Sequence, residues 1–293
     1  MVAPSATDNF SVSVIIPTYN RSSFLRSALD SVYSQSHQVN EIIVVDDGST
    51  DLTVEELSAD YESVSFIRQE NQGVSSARNN GIEKAEGEWI ALLDSDDRWD
   101  QDKIARQLSF LSQNPAIQIC HTGEKWIRNG KLISPPSFLD KSNDGLFERS
   151  LERCIICPSS VLFHRSVIDA IGTFDENLSI CEDYDFWIRL LLSYPIGLVK
   201  EPLVEKYGGH ADQLSMSTWG LDRFRVQSLE KILLSENYNR KQKGKILQAI
   251  ARKTALLGIG FAKHGKEKEA DLYQQKKNQA LEQLASLQQT SAL

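Results

Sequence analysis

The chain has 293 residues, of which 41% are hydrophobic and 25% charged, an ordinary composition for a soluble globular protein. Its net charge of −8 argues against a nucleic-acid-binding protein. The charge is unevenly spread, because residues 240–293 carry 11 Lys and Arg against 4 Asp and Glu, a net +7 that leaves −15 for residues 1–239. This length allows one large domain or two modest ones.

The start of the chain resembles neither a signal peptide nor a membrane anchor. Residues 1–10 lack a basic segment followed by an apolar one. No apolar run approaches the roughly 18 residues that a membrane span requires. We therefore expect a disordered segment at residues 1–10, and a cytoplasmic protein that is at most peripheral to the inner face of a membrane.

Strands and helices alternate through the first hundred residues. Short β-branched or apolar runs predict strands, and apolar residues at helical spacing predict helices between them. The strands are predicted at 11–17, 41–45, 64–67 and 89–93, and the helices at 24–32, 53–61 and 73–84. This alternation is typical of an α/β layer with a parallel sheet.

Beyond residue 100 the pattern is weaker. Helices are predicted at 101–113, 166–171 and 182–192, strands at 117–120 and 161–163, and a flexible loop at 130–145. From about residue 221 onward the pattern predicts helices only. Of the four cysteines, Cys154 and Cys157 have the spacing of half a zinc site, so a four-cysteine zinc site and reduced thiols are both considered.

Polar clusters follow three of the first four strands, at Thr18–Arg21, Asp46–Asp51 and Asp94–Asp97. In parallel sheets ligands bind beyond the carboxyl ends of the strands, so we expect the three clusters to line one cleft. The last cluster holds three carboxylates in four positions, which repel one another unless a positive charge lies among them. A divalent cation such as Mg²⁺ or Mn²⁺ meets that need, and a solvated acidic turn is the alternative.

Four further side chains are candidates for chemistry on a phosphorylated substrate. The ring of Tyr19 could stack on a nucleobase, and the carboxylate of Asp47 could accept a hydrogen bond from a base or a ribose, unless it only caps the next helix. Arg78 could pair with a diphosphate, and His210 could ligate a metal or a phosphate. Glycine-rich phosphate-binding motifs are absent.

The acidic pair Glu182 and Asp183 opens a predicted helix. Carboxylates are favoured at a helix N-terminus by the macrodipole, whatever their function. A carboxylate at such a place near a metal–phosphate site could also deprotonate an incoming hydroxyl.

Six segments in this order resemble the motifs of family 2 glycosyltransferases. The resemblance covers roughly residues 11–215 and leaves residues 221–293 outside. The segments are PTYNR at Pro17–Arg21, VVDDGSTD at Val44–Asp51, Gly73–Gly81, LDSDD at Leu93–Asp97, GTFDE at Gly172–Glu176 and EDYDFW at Glu182–Trp187.

The resemblance implies a GT-A fold, which is Rossmann-like with a mostly parallel sheet flanked by helices. It also implies a nucleotide-sugar donor, often UDP-linked, a divalent metal (Mn²⁺ or Mg²⁺) and inversion at the anomeric carbon. Residues 11–220 would form the GT-A domain, with a nucleotide-binding half at 11–100 and an acceptor half at 101–220. Residues 221–293 would form a basic helical region.

The resemblance also implies a role for each matching residue. In the donor site, Tyr19 would stack on the base, Asp47 would bind it, and Arg78 would approach the nucleotide. Asp96 and His210 would bind the metal, and Asp183 would be the catalytic base. The other residues that the motifs place at the site are Pro17, Asp94 and Ser95 with the donor, and Glu182 and Arg21 in support.

The Gln-x-x-Arg-Trp motif of processive members is absent, which favours transfer of one sugar per encounter with the acceptor. We expect a glycan or lipid-linked acceptor and a role in cell-surface polysaccharide or lipid-linked glycan assembly. A phosphatase of the haloacid dehalogenase type and a sugar nucleotidyltransferase fit less well, because the rest of their signatures is missing. A non-catalytic sugar- or partner-binding module is a further alternative.

The basic helices could dock on an anionic membrane or form a solvated or dimerising element. The oligomeric state is left open.

Overall fold

The computed structural model of the chain describes residues 10–209, 218–235 and 237–289. The predictions for residues 1–9 and for His210 lie outside these ranges.

A parallel sheet forms in the first hundred residues, as the sequence predicts. Its four strands lie in the order β3-β2-β1-β4, and each neighbouring pair is parallel. The elements are β1 (Val12–Thr18), α1 (Ser22–Tyr33), β2 (Glu41–Asp46), α2 (Thr53–Ser58), β3 (Val64–Arg68), α3 (Val74–Lys84) and β4 (Trp89–Leu92).

Strand β1 is buried on both faces, which explains its continuous apolar run. Val14 and Ile16 face the cluster that includes Leu25 of α1, whereas Ile15 faces the cluster that includes Ala77 of α3. Helix α3 packs unusually close to the sheet, because a Cβ at Gly81 would lie 2.5 Å from a methyl carbon of Ile15. The sheet is therefore covered by helices on both sides.

The second half of the chain extends the same sheet to nine strands within the described residues, in the order β4-β8-β6-β9-β5, with β7 paired to β6. Here antiparallel pairs occur beside the parallel pair of β6 and β9. The elements are β5 (Arg98–Trp99), α4 (Lys103–Gln113), β6 (Ile119–Arg128), β7 (Lys131–Ile133), α5 (Leu146–Glu152), β8 (Leu162–His164), α6 (Ser166–Ile171), α7 (Glu182–Ser193) and β9 (Gly197–Gly208), with 3-10 turns at Ser137–Leu139 and Pro158–Ser160.

Several elements differ from the prediction, and β5 and helix α5 are among those that the sequence did not predict. Strand β6 continues to Arg128 instead of ending at Cys120, and the predicted loop at 130–145 contains β7 and a 3-10 turn. Strand β9 was not predicted. It contains Pro202, which a strand interior rarely tolerates, and it is accommodated because the register with β6 shifts on both sides of Gly123, opposite the proline.

The C-terminal region is helical, as predicted, and consists of α8 (Asp222–Leu233), α9 (Arg240–Lys263) and α10 (Glu267–Gln289). These helices share a buried apolar cluster with α5 and α7, which we call the C-terminal core. Its members include Leu151, Tyr184, Ile188, Leu229, Ile246, Ile250 and Ala280. None of the described helices is both long and apolar enough to cross a lipid bilayer.

Polar contacts reinforce this packing. The hydroxyl of Ser228 in α8 donates to Asp185 Oδ1 in α7 over 2.8 Å, and both residues are buried. Lys253 in α9 pairs with Asp222 at 2.9 Å and donates to the carbonyl of Glu152 at 2.8 Å. Helices α8 and α9 are therefore packed against α5 and α7.

Candidate active site

The polar loops that follow β1, β2 and β4 meet at one edge of the sheet, as the sequence predicts. Asn20, at a positive φ of 52°, donates its backbone N–H to Ser49 Oγ and accepts from the backbone N–H of Thr50. Arg21 Nη1 lies 2.7 Å from Asp96 Oδ2. The first loop is thus bonded to both of the others, and the three loops form one cleft.

Asp47 is buried and anchors the loop that leads into α3. Its Oδ1 accepts from Gln69 Nε2 and from the backbone N–H of Gln72, each at 2.9 Å. Its Oδ2 accepts from the backbone N–H of Gly73 at 2.8 Å. Each carboxylate oxygen can accept two hydrogen bonds, so Oδ2 keeps capacity for a base or a ribose.

The acidic residues Asp94, Asp96 and Asp97 lie in one tight turn, in which the N–H of Asp97 donates to the carbonyl of Asp94. Asp97 is buried and accepts from Ser159 Oγ at 2.6 Å and from the backbone N–H of Tyr207 at 3.2 Å. Burial raises the pKa of Asp97 well above its ordinary value. Asp97 therefore holds the turn in place, whereas the side chains of Asp94 and Asp96 stay 27% and 17% exposed.

Three cations surround this turn, and their positive charges reduce the repulsion that is expected among its carboxylates. Arg21 pairs with Asp96, and Arg78 pairs with Asp94. Lys206 lies behind the turn, with Nζ 3.7 Å from Cys157 Sγ. The interaction with Cys157, followed by those with the nearby carboxyl groups of Glu124, Asp97 and Asp94, raises the pKa of Lys206 well above its ordinary value. The protein itself thus supplies part of the positive charge that the three carboxylates require.

Arg78 connects the acidic turn to the start of α7. Its Nη2 lies 2.7 Å from Asp94 Oδ1, and its Nη1 lies 2.7 Å from Glu182 Oε1. Burial alone would lower the pKa of Arg78, but the two carboxylates raise it, so the guanidinium stays charged. A diphosphate would have to compete with both carboxylates for this side chain.

Asp183 lies beside this bridge in the first turn of α7, where the helix dipole favours negative charge. It is partly exposed, whereas Glu182 is buried. Burial, and then the charge of Asp183, raise the pKa of Glu182, although Arg78 opposes the shift. Asp183 Oδ1 accepts from the backbone N–H of Tyr184 at 2.7 Å, and Oδ2 lies 3.2 Å from Cys154 Sγ.

The other predicted donor residues differ in how accessible they are. Tyr19 is 44% exposed at the mouth of the cleft, where a ring can stack on a base. Pro17 is buried in β1 opposite Val45, and Ser95 is buried within the acidic turn. Both side chains are therefore less accessible to a donor than that of Tyr19.

The donor atoms at the turn fit a hard divalent cation. Asp94 and Asp96 offer partly exposed carboxylates, the ligand type that Mg²⁺ and Mn²⁺ prefer. Oxygens of Asp94 and Asp97 also lie within 4.8 Å of Cys157 Sγ. Burial raises the pKa of the Cys157 thiol, so the sulfur keeps its proton and is a poor ligand for such an ion. The four cysteines are free thiols.

Sequence reasoning missed Ser159 and Lys206. The hydroxyl of Ser159 donates to Asp97 and accepts from the backbone N–H of Asp94 at 3.1 Å, so this residue fixes both ends of the turn. Ser159 lies in the short 3-10 turn Pro158–Ser160, and Lys206 lies in the strand that was not predicted. Neither residue carries a local signal in the sequence.

Residues 13–172 match the family model described as glycosyl transferase family 2. An uncharacterized glycosyltransferase of Rickettsia conorii is 35% identical over 207 residues, which are 69% of this chain and 33% of that protein. TuaG of Bacillus subtilis, named as a glycosyltransferase of teichuronic acid biosynthesis, is 32% identical over 61% of this chain and 71% of its own length. The chain spans about a third of the length of the first curated relatives that it matches.

Two solved structures show the same fold. TarS 1–349 of S. aureus, in complex with UDP-GlcNAc, has a TM-score of 0.66 at 18% identity and covers 92% of each chain. The mannosyltransferase PcManGT of Pyrobaculum calidifontis, in complex with GDP-Man and Mn²⁺, has a TM-score of 0.60 at 18% identity and covers 97% of this chain and 89% of its own.

Proposed function

The chain belongs to glycosyl transferase family 2 and has the GT-A fold, and we propose that it transfers a sugar from a UDP-linked donor to an acceptor hydroxyl with inversion at the anomeric carbon. One observation carries the proposal. The guanidinium of Arg78 bonds both Asp94 of the acidic turn and Glu182 beside Asp183. A donor-binding turn and a partly exposed carboxylate are thereby held in one cleft, which is the arrangement that a one-step displacement requires.

On the donor side, Tyr19 stacks on the base and Asp47 Oδ2 accepts a hydrogen bond from it. The exposure of the Tyr19 ring and the remaining capacity of Asp47 support these roles. Arg78 acts mainly as a positioning residue, since both of its ion pairs are with carboxylates of the protein. The donors named for the two similar structures, UDP-GlcNAc and GDP-Man, support a nucleotide sugar.

Asp94 and Asp96 would hold a divalent cation, Mn²⁺ or Mg²⁺, with His210 as a further ligand. When bound, the ion supplies positive charge that stabilises the leaving diphosphate. The Mn²⁺ named for the PcManGT complex supports this cofactor. Arg21, which pairs with Asp96, and Lys206 neutralise part of the charge of the turn.

On the acceptor side, Asp183 takes the proton from the attacking hydroxyl. Glu182 is buried and forms an ion pair with Arg78, so of Glu182 and Asp183 only Asp183 is a carboxylate that an acceptor can reach. A base on the acceptor side lets the oxygen attack the face opposite the nucleotide, which gives inversion.

Replacement of the base tests the proposal. Asp183→Asn should lower kcat by at least about 100-fold, because general-base catalysis contributes on that order, while the affinity for UDP stays close to that of the wild type. Transfer is measured with Mn²⁺ across UDP-, GDP- and dTDP-sugars, and UDP binding by calorimetry.

The matched control is Asp169→Asn, which changes an exposed aspartate of α6. It should leave kcat unchanged. Wild-type turnover in Asp183→Asn would refute the base assignment. The absence of transfer and of donor hydrolysis with every nucleotide sugar would favour the non-catalytic module.

The product belongs to a cell-surface polysaccharide or a lipid-linked glycan on this proposal. The name of TuaG supports that class of product. We further propose a peripheral contact between the C-terminal helices and an anionic membrane, where a lipid-linked acceptor would lie. Leu256 and Ile259 of α9 are 60% and 68% exposed, and their spacing places them on one side of the helix together with the exposed Lys263.

A further inference from the structure

The segment between α5 and β8 touches both parts of the candidate site. Cys154 Sγ lies 3.2 Å from Asp183 Oδ2, and Cys157 Sγ lies 3.8 Å from Asp97 Oδ2. Ser159 completes the contact with the acidic turn. The two cysteines that resemble half a zinc site in the sequence therefore face the base on one side and the turn on the other.

We propose that Cys154 is a positioning residue for Asp183, and that its thiol holds the carboxylate in the orientation from which it takes the acceptor proton. The inference rests on the base role proposed above for Asp183. Cys154 acts through this carboxylate and not on the substrate.

Two contacts fix the Asp183 carboxylate, one on each oxygen. Oδ1 accepts from the N–H of Tyr184, a backbone group that moves only with α7, and Oδ2 faces the thiol. Without the thiol, the second oxygen has no hydrogen-bond donor among the residues that the structure describes, and rotation about the Cβ–Cγ bond is less restricted. Oδ2 still has a lone pair for the acceptor hydroxyl while the thiol is bound.

The thiol has one proton and two acceptors within reach. The carbonyl of Ile156 lies 3.4 Å from Cys154 Sγ, farther than the carboxylate oxygen at 3.2 Å. The charged acceptor is favoured because charge-assisted hydrogen bonds are stronger than neutral ones. Burial, followed by the charge of Asp183, holds the pKa of Cys154 well above its ordinary value, so the sulfur remains a donor.

Cys154 is itself held in place. It packs against the C-terminal core and also against the apolar cluster between the sheet, α3 and α7. A group orients a catalytic side chain only when its own position is fixed by packing, and this residue lies where two clusters meet.

The test compares Cys154→Ala and Cys154→Ser in the full chain. The alanine variant should show a kcat about tenfold lower, since one hydrogen bond to a charged group contributes on this order, with little change in KM for the donor. The acid limb of its pH–rate profile should move to higher pH, because only the carboxylate form of Asp183 loses a donor. Serine, which keeps a donor, should restore most of kcat.

Cys120→Ala is the matched control, because it also replaces a buried thiol by a methyl group. Cys120 lies in β6 and contacts Gln107, not a carboxylate. This variant should leave kcat and the pH–rate profile as they are. A Cys154→Ala enzyme that behaves like Cys120→Ala would overturn the positioning role.

A second measurement is independent of turnover. A hydrogen-bonded S–H group absorbs infrared light at lower frequency than a free one, and Cys154→Ala identifies the band. Asp183→Asn should move that band to higher frequency, and a band that does not move would refute the contact. An inactive Asp183→Asn beside an unaffected Cys154→Ala overturns the positioning role alone, whereas an active Asp183→Asn overturns the base assignment and this role with it.

Discussion

Arg78 forms two buried ion pairs, and removing it should cost more stability than the two pairs add as a net contribution. Its side chain is 4% exposed, so placing the guanidinium in the protein removes most of its water. The two ion pairs offset this cost without a large surplus, as is usual for buried charges. Removal of Arg78 alone has a larger cost, because it leaves Asp94 and Glu182 close to each other without a cation.

Arg78→Gln should therefore lower the free energy of unfolding by about 3–5 kcal/mol, the usual cost of breaking a buried ion pair. Urea denaturation measures the change. The double variant Arg78→Gln, Glu182→Gln should recover part of the loss, because one of the two unpaired charges is then removed. Arg26→Gln is the control, since Arg26 and Asp60 form an exposed pair, and equal stability of the two single variants would contradict the prediction.

The composition of the site could be predicted, but its connections could not. The acidic turn and the pair at Glu182 were found because each follows or opens a regular element. The partners of Arg78 lie 16 and 104 residues away, and no local pattern indicates such pairs. For the same reason, the contact between Cys154 and Asp183 could not be predicted from the sequence.

At the scale of elements, the strands that were predicted are those with continuous apolar runs. Strand β9 combines Lys200, Glu201 and Pro202 with apolar residues, and a proline within a run normally argues against a strand. Helical spacing likewise identified the C-terminal helices and their apolar faces. It could not show that α5 and α7 cover those faces, because that depends on tertiary packing.

The C-terminal core predicts a contrast between two apolar residues of α9. Ile250 is 2% exposed and Leu256 is 60% exposed. Ile250→Ala should lower the free energy of unfolding by about 2–5 kcal/mol, as core truncations do, whereas Leu256→Ala should change it by less than about 0.5 kcal/mol. Thermal or urea unfolding of both variants makes the comparison. Equal effects would mean that the C-terminal helices do not share a core with α7.

At the scale of the whole molecule, the acidic body and the basic C-terminal region partly neutralise each other. Lys245 pairs with Glu148 and Arg252 with Glu152, both across the contact with α5. The sequence suggested two different neighbours for the two parts. The structure shows that part of the basic charge of the C-terminal region is paired with carboxylates of the acidic body. Fewer basic side chains are therefore available for an anionic surface.

Membrane contact is tested with the full chain and vesicles. Flotation with anionic vesicles should exceed flotation with neutral ones and should weaken as salt is raised, because electrostatic attraction contributes to the contact. The variant Leu256→Ser, Ile259→Ser should lose most of this binding, whereas Leu234→Ser, which changes an exposed leucine at the end of α8, should keep it. Equal recovery with both vesicle types, or none with either, would contradict the proposal.

The bridge through Arg78 also sets an order for events during biosynthesis. Arg78 lies in α3, but its partner Glu182 is added 104 residues later. Closing a loop of that length costs entropy that is recovered only when the second half of the sheet is in place. A nascent chain that ends before α7 holds the strands β3-β2-β1-β4 and the acidic turn but lacks β9, and its Arg78 has only one of its two carboxylates. Competence for catalysis should arrive late in folding, as a property of the finished chain.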